Sequence, residues 1–133
     1  MKIDFEIIAF SRMRYPSSGD WFRKGGVWFF RVARFKDKRY SFLVFFHEFL
    51  EWGICQLQGI KQRDVDRFDM AYEKARDMGE AQAPCGCKFQ DECGDDIHAP
   101  YREAHQVATA CERLIAKALG VDWARYEEAI EKL

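Results

Sequence analysis

The chain has 133 residues, a formal net charge of −1, 48% hydrophobic residues with twelve Phe among them, and 32% charged residues. That suits one domain over 1–133 with a real core, and a balance so near zero makes no electrostatic case for nucleic acid or an acidic membrane surface. Acids stand at Asp4 and Glu6 where a signal peptide carries an apolar run. The apolar stretch Phe42 to Leu57 is too short and holds too many ionisable groups for a membrane span. Both absences point to the cytoplasm, where the five cysteines serve as free thiols or metal ligands rather than disulfides.

In chain order, residues 2–10 alternate, with Ile3, Phe5 and Ile7 on one side and Asp4 and Glu6 on the other, which predicts a half-buried strand. Ser11 to Asp20, with Pro16 and Gly19, is a loop. Trp21-Phe22-Arg23 and Val27 to Arg34 flank Lys24-Gly25-Gly26, a hairpin turn. Arg31, Arg34, Lys36, Lys38 and Arg39 make a basic strand end, read as a solvated edge. From about Tyr40 to Gln58 the pattern predicts one helix, stopped by Gly59 and apolar nearly all round, hence central and buried. Lys61 to Met78 is a second helix, with Val65, Phe68, Tyr72 and Ala75 on its stripe. Gly79 to Ala99 is a loop. Pro100 opens a third helix, with Tyr101, His105, Ala108, Cys111, Ile115 and Leu119 inward, ending at Gly120. Asp122 caps a last short helix from Trp123. The class is α+β: a small N-terminal antiparallel sheet of about three strands, then three to four helices around a buried central one.

The chemistry concentrates inside the most apolar stretch, at His47-Glu48-Phe49-Leu50-Glu51. A lone carboxylate in a core costs several kcal/mol, and a bound cation would offset that cost. On a helix, His47 and Glu51 share a face, about 40° apart, and can grip one ion. Glu48 lies about 100° from His47, beside the ion, where a general base for a bound water belongs. A further ligand must come from elsewhere. His105 is on the inward stripe of the third helix, Glu112 lies on the same face, and Asp69 sits at the edge of the second helix's stripe. The expected set is His47, Glu51 and His105, with Asp69 or Glu112 as ligand or as the group that orients one. His98 stays open as an alternative. Carboxylate ligands occur in hydrolytic zinc sites and also suit manganese or magnesium, so the expected cofactor is a divalent metal, zinc first and manganese second. The competing arrangement is metal-free, each acid pairing with an arginine such as Arg102 or Arg113.

Cys85, Cys87, Cys93 and His98 form a second constellation within fourteen residues. They could make a structural zinc knuckle, although the usual Cys-x-x-Cys spacing is absent. Asp95 and Asp96 either cap the next segment or lean toward the His47 site. Cys55 and Cys111 could be nucleophiles but read as small core fillers. The aromatic surplus on the strands suits the core, a pocket or a homodimer face.

Phe46-His47-Glu48-Phe49-Leu50-Glu51, Gly59-Ile60, Val65-Asp66-Arg67-Phe68-Asp69, Ala99-Pro100-Tyr101-Arg102 with His105, and Leu119-Gly120-Val121-Asp122-Trp123 follow one another in order. On these elements the stretch from Phe42 to Trp123 resembles a group of small bacterial and phage proteins of no established activity. The resemblance implies a phage or mobile-element setting, with the cysteine-bearing loop as extra material. The helix around His47 is also similar, more weakly, to the His-Glu-x-x-His helix of zincin metallopeptidases, with Glu51 in place of the second histidine. Two functions follow as expectations. One is a small metal-dependent hydrolase acting on an unidentified substrate. The other is a non-catalytic module that binds a protein partner and carries a buried polar network.

Overall fold

Gly25 and Gly26, at φ of 57° and 78°, form the two-residue turn between β2 (Gly19–Lys24) and β3 (Val27–Ala33). Two consecutive positive φ values match the right-handed twist of the arms, and glycine adopts them without strain. The computed structural model describes all of residues 1–133. With β1 (Lys2–Ile8) the hairpin makes a three-stranded sheet in the order β1-β3-β2. The sheet is mixed rather than antiparallel: β2 is antiparallel to β3, but β1 is parallel to it, with Phe5 opposite Phe30. The reason is topological. Two chain reversals return β3 to the direction of β1, and the most apolar strand takes the protected central place.

Four helices follow: α1 (Lys38–Gln58), α2 (Gln62–Asp77), α3 (Arg102–Ala118) and α4 (Trp123–Glu131). Asp37 caps α1 by accepting from the Arg39 N–H, and Gly59 ends it at φ 71°. Asp122 caps α4 through the Arg125 N–H. Between α2 and α3 the chain has no regular structure beyond a 3-10 turn at Cys93–Asp95. No helix is long and apolar enough to cross a membrane.

α1 lies over β2 and β3 and against α3. Its cover of β1 is incomplete: Phe5 meets Phe45 of α1 at 4.4 Å between ring centroids yet is 43% exposed, and Phe42 on α1 is 48% exposed. α1 is therefore central but not buried all round. The basic strand end is neutralised in part: Arg31 pairs with Asp4 and Glu6, and Arg39 with Asp37.

The core has two apolar regions. Trp52 and Cys55 of α1 cluster with Tyr101 and Ala104 around Phe30 and Trp21. Leu43 and Val44 cluster with Ala116 and Tyr126 at the other end of α1. α1 and α3 thus run antiparallel, and the stretch between the two regions holds His47 and Glu51 facing His105 and Glu112. All four are buried.

Candidate metal centre

Three atoms converge where α1 meets α3. His47 Nε2 is 3.1 Å from His105 Nδ1, His105 Nδ1 is 3.1 Å from Glu51 Oε2, and His47 Nε2 is 3.3 Å from the same oxygen. A tetrahedral ion bonded at about 2.0–2.1 Å sets its ligand atoms about 3.3 Å apart. This triangle therefore has the size of one face of such a site, and these groups can hold a metal ion.

Each corner is oriented from behind. Glu112 Oε2 lies 2.9 Å from His47 Nδ1, so that nitrogen carries the proton and Nε2 turns its lone pair to the centre. The Tyr126 hydroxyl donates in turn to the other Glu112 oxygen. The Trp21 indole N–H donates to Glu51 Oε1 at 3.0 Å, leaving Oε2 for the centre. Behind His105, Glu92 Oε2 is 3.0 Å and Asp95 Oδ1 3.7 Å from Nε2. Glu92 lies off the N–H direction, so its contact is an ion pair rather than a hydrogen bond. The 3-10 turn presses so close that a Cβ on Gly94 would fall 2.4 Å from the His105 ring.

The local field calls for positive charge. Burial works against a His105 imidazolium, yet Glu51 and Glu92 outweigh it and push the group up to about 10. For His47, burial is likewise outweighed, by Glu112 and Glu51. Glu51 is held at about 2 against its burial by the two rings. No arginine serves the cluster. Arg14 pairs with Asp20 and Asp66, Arg102 reaches the Asp95 carbonyl, and Arg113 sits by Glu127. Both facing imidazole nitrogens also lie within hydrogen-bond reach of Glu51 Oε2, so the same three atoms can gather protons or a single cation.

Glu48 borders the same cavity of about 360 Å³, together with His47, Glu51 and His105. Its carboxyl packs against Gly19, where a Cβ would lie 2.4 Å from Oε1. Burial, then the charge of Glu51, drives its pKa well above the usual carboxylate range, and no hydrogen bond contributes to its ionisation.

Asp69 reaches this cavity but is not gathered with the triangle. It accepts from Tyr101 at 2.6 Å, Tyr15 at 3.1 Å and the Cys93 thiol at 3.2 Å. Burial still pushes it up to about 7. Glu112 stands behind His47. His98 lies apart, with Cys85, Cys87 and Asp96, while Asp95 leans toward His105. The Cys55 thiol is in the core and raised to about 12 by burial, which leaves it unreactive at neutral pH. Glu92, Trp21 and Tyr126 were not anticipated. Glu92 and Trp21 lie in a loop and a strand whose spacing carries no signal toward α1. Tyr126 alone had one, as a tyrosine on the inner side of a capped helix.

Compared with protein-family models, with curated proteins and with solved structures, the chain matches none, so only its own geometry bears on what the site does.

Proposed function

We propose that this chain is a small hydrolase dependent on one divalent metal ion, zinc in the first instance. The ion would be held by His47 Nε2, His105 Nδ1 and Glu51 Oε2. The observation that carries the proposal is the buried triangle itself: two imidazole nitrogens and one carboxylate oxygen within 3.3 Å of one another, the spacing of three ligands on one ion, with acids behind them and no arginine among them. A divalent cation there supplies the charge and uses one lone pair from each corner. Two imidazoles and one carboxylate are a donor set of catalytic zinc.

A bound ion would lower the pKa of a water and polarise a carbonyl. Its charge would also offset the burial that raises Glu48, so that Glu48, at the cavity wall and without a hydrogen-bond partner, would stand ionised as the general base. Glu112 fixes the tautomer of His47, and Trp21 fixes the rotamer of Glu51. Against one arginine, Arg76, the walls carry a larger number of acids, of which Arg14 offsets Asp20 and Asp66. The remaining excess disfavours anionic substrates and suits a neutral or cationic amide or ester.

A second reading has one observation behind it. The polar atoms of the cluster also form a connected network, from Tyr126 through Glu112, His47, His105 and Glu51 to Trp21. Holding protons alone, such a network would fix the register of α1 on α3 in a non-catalytic binding module. Elemental analysis of protein purified without chelator separates the two. The hydrolase reading expects one divalent ion fewer in His47→Ala than in wild type, and a rise in melting temperature on adding zinc or manganese that is smaller in His47→Ala. Equal metal content and an equal rise in the two proteins would leave the network alone standing.

A further inference from the structure

The segment between α2 and α3 is long for a connection without regular structure, and such segments in compact domains have a function or an added constraint. Part of this one is drawn together by four side chains. Cys85, Cys87, Asp96 and His98 each offer one ligand atom, all within 4.8 Å of one another. Cys85 Sγ is 3.2 Å from Asp96 Oδ2, Cys87 Sγ is 3.4 Å from His98 Nδ1, and that nitrogen is 3.4 Å from Asp96 Oδ1. Ligand atoms of tetrahedral zinc with thiolate, imidazole and carboxylate donors stand about 3.3–3.8 Å apart.

The backbone supports the arrangement. Gly86, between the cysteines, adopts φ 82°, which turns the chain so that both thiols face the same acid and ring. The turn is closed by Gly86 N–H to the Ala83 carbonyl at 2.8 Å and Ala83 N–H to the Cys87 carbonyl at 2.9 Å. The His98 N–H holds the Asp96 carboxylate at 2.8 Å. That carboxylate belongs to a residue only 1% exposed, and its one ionic partner is the half-exposed His98 ring. Both cysteines are free thiols.

We propose that Cys85, Cys87, Asp96 and His98 bind one zinc ion in a closed structural site. The cysteines bind as thiolates and release their protons to solvent, so the four ligands bring a charge of −3 to the 2+ ion. With all four positions filled by protein the site is structural rather than catalytic. The ligand pairs bracket residues 88–95, the stretch that carries Glu92, Gly94 and Asp95 onto His105. The zinc therefore clasps one wall of the His47 cavity in place. This inference does not depend on an ion at His47.

Cobalt(II) loaded into the full-length, reduced protein tests it. Thiolate ligation gives a sulfur-to-cobalt charge-transfer band in the near ultraviolet, which the sulfur-free His47 triangle cannot produce. The band should appear in wild type, persist in His47→Ala, and vanish in Cys85→Ser/Cys87→Ser together with one bound zinc per chain. Hydrogen exchange should show residues 88–95 losing protection on chelation. If wild type shows no such band at one cobalt per expected site, or the double variant keeps both band and zinc, the clasp does not exist. The wild-type spectrum decides the matter even if the double variant fails to fold. Loss of metal in His47→Ala alone would speak only to the triangle.

Discussion

His47 Nε2 faces His105 Nδ1 across 3.1 Å, with Glu51 Oε2 3.1 Å from the second ring. This one contact couples metal binding to protons. His105 has an ordinary value of 6.5 and is pushed up to about 10 in the folded chain. Without the ion, the stability this proton contributes is fully present below pH 6.5 and is lost as pH rises through about 10. Binding an ion must expel the proton. At pH 7, calorimetry on Cys85→Ser/Cys87→Ser, in which only the triangle takes zinc, in buffers of different ionisation enthalpy should therefore show at least one proton released per zinc, and affinity should rise with pH. Binding without proton release would mean that the rings do not take the ion.

Glu48 and Glu112 should separate by function. Glu48→Gln should keep the metal and lose turnover by roughly 10²–10⁴-fold, the usual worth of a positioned base. Glu112→Gln should keep the fold but weaken the metal by roughly 10–100-fold, because it frees the His47 ring from its fixed tautomer. Metal titration and hydrolysis of a panel of chromogenic amides and esters read the two effects independently.

Asp69 sets a different pH dependence. Burial lifts it from 3.8 to about 7 against the donors Tyr101, Cys93 and Tyr15. Between those values the folded chain binds more protons than the unfolded one, so stability falls as pH rises across the window, by about 4 kcal/mol at most. Asp69→Asn should remove that slope. Urea denaturation of both proteins in chelator from pH 4 to pH 8 checks it, and parallel curves would show that Asp69 titrates normally.

Two glycines offer a paired test of the turn against His105. A Cβ on Gly94 would meet the His105 ring at 2.4 Å, whereas one on Gly53 inside α1 meets nothing within 4 Å. Gly94→Ala should destabilise by about 1–3 kcal/mol and weaken metal binding. Gly53→Ala should stabilise by about 0.5–1 kcal/mol through helix propensity alone. Thermal denaturation with and without zinc distinguishes them.

Local signals carried much of the fold. The Gly25-Gly26 hairpin, the Gly59 stop and the Asp122 cap are short-range chemistry, and each lies where its residue type demands. Strand order was not legible, because alternation in β1 reveals its faces but not its neighbour. The same limit explains the exposure of Phe5 and Phe42, since how far a helix covers a strand is a tertiary matter. Helical spacing was enough to put His47 with Glu51 and His105 with Glu112. It could not show that Asp69 turns to Tyr15 and Tyr101, nor that Glu92 arrives from a loop without period.

The most direct measurement is an anomalous-scattering map from crystals grown with zinc, recorded on both sides of the zinc edge. The account predicts a peak bonded to His47 Nε2, His105 Nδ1 and Glu51 Oε2, with Glu48 beside it and outside bonding distance. A map without anomalous density there, the triangle holding protons alone, would contradict it.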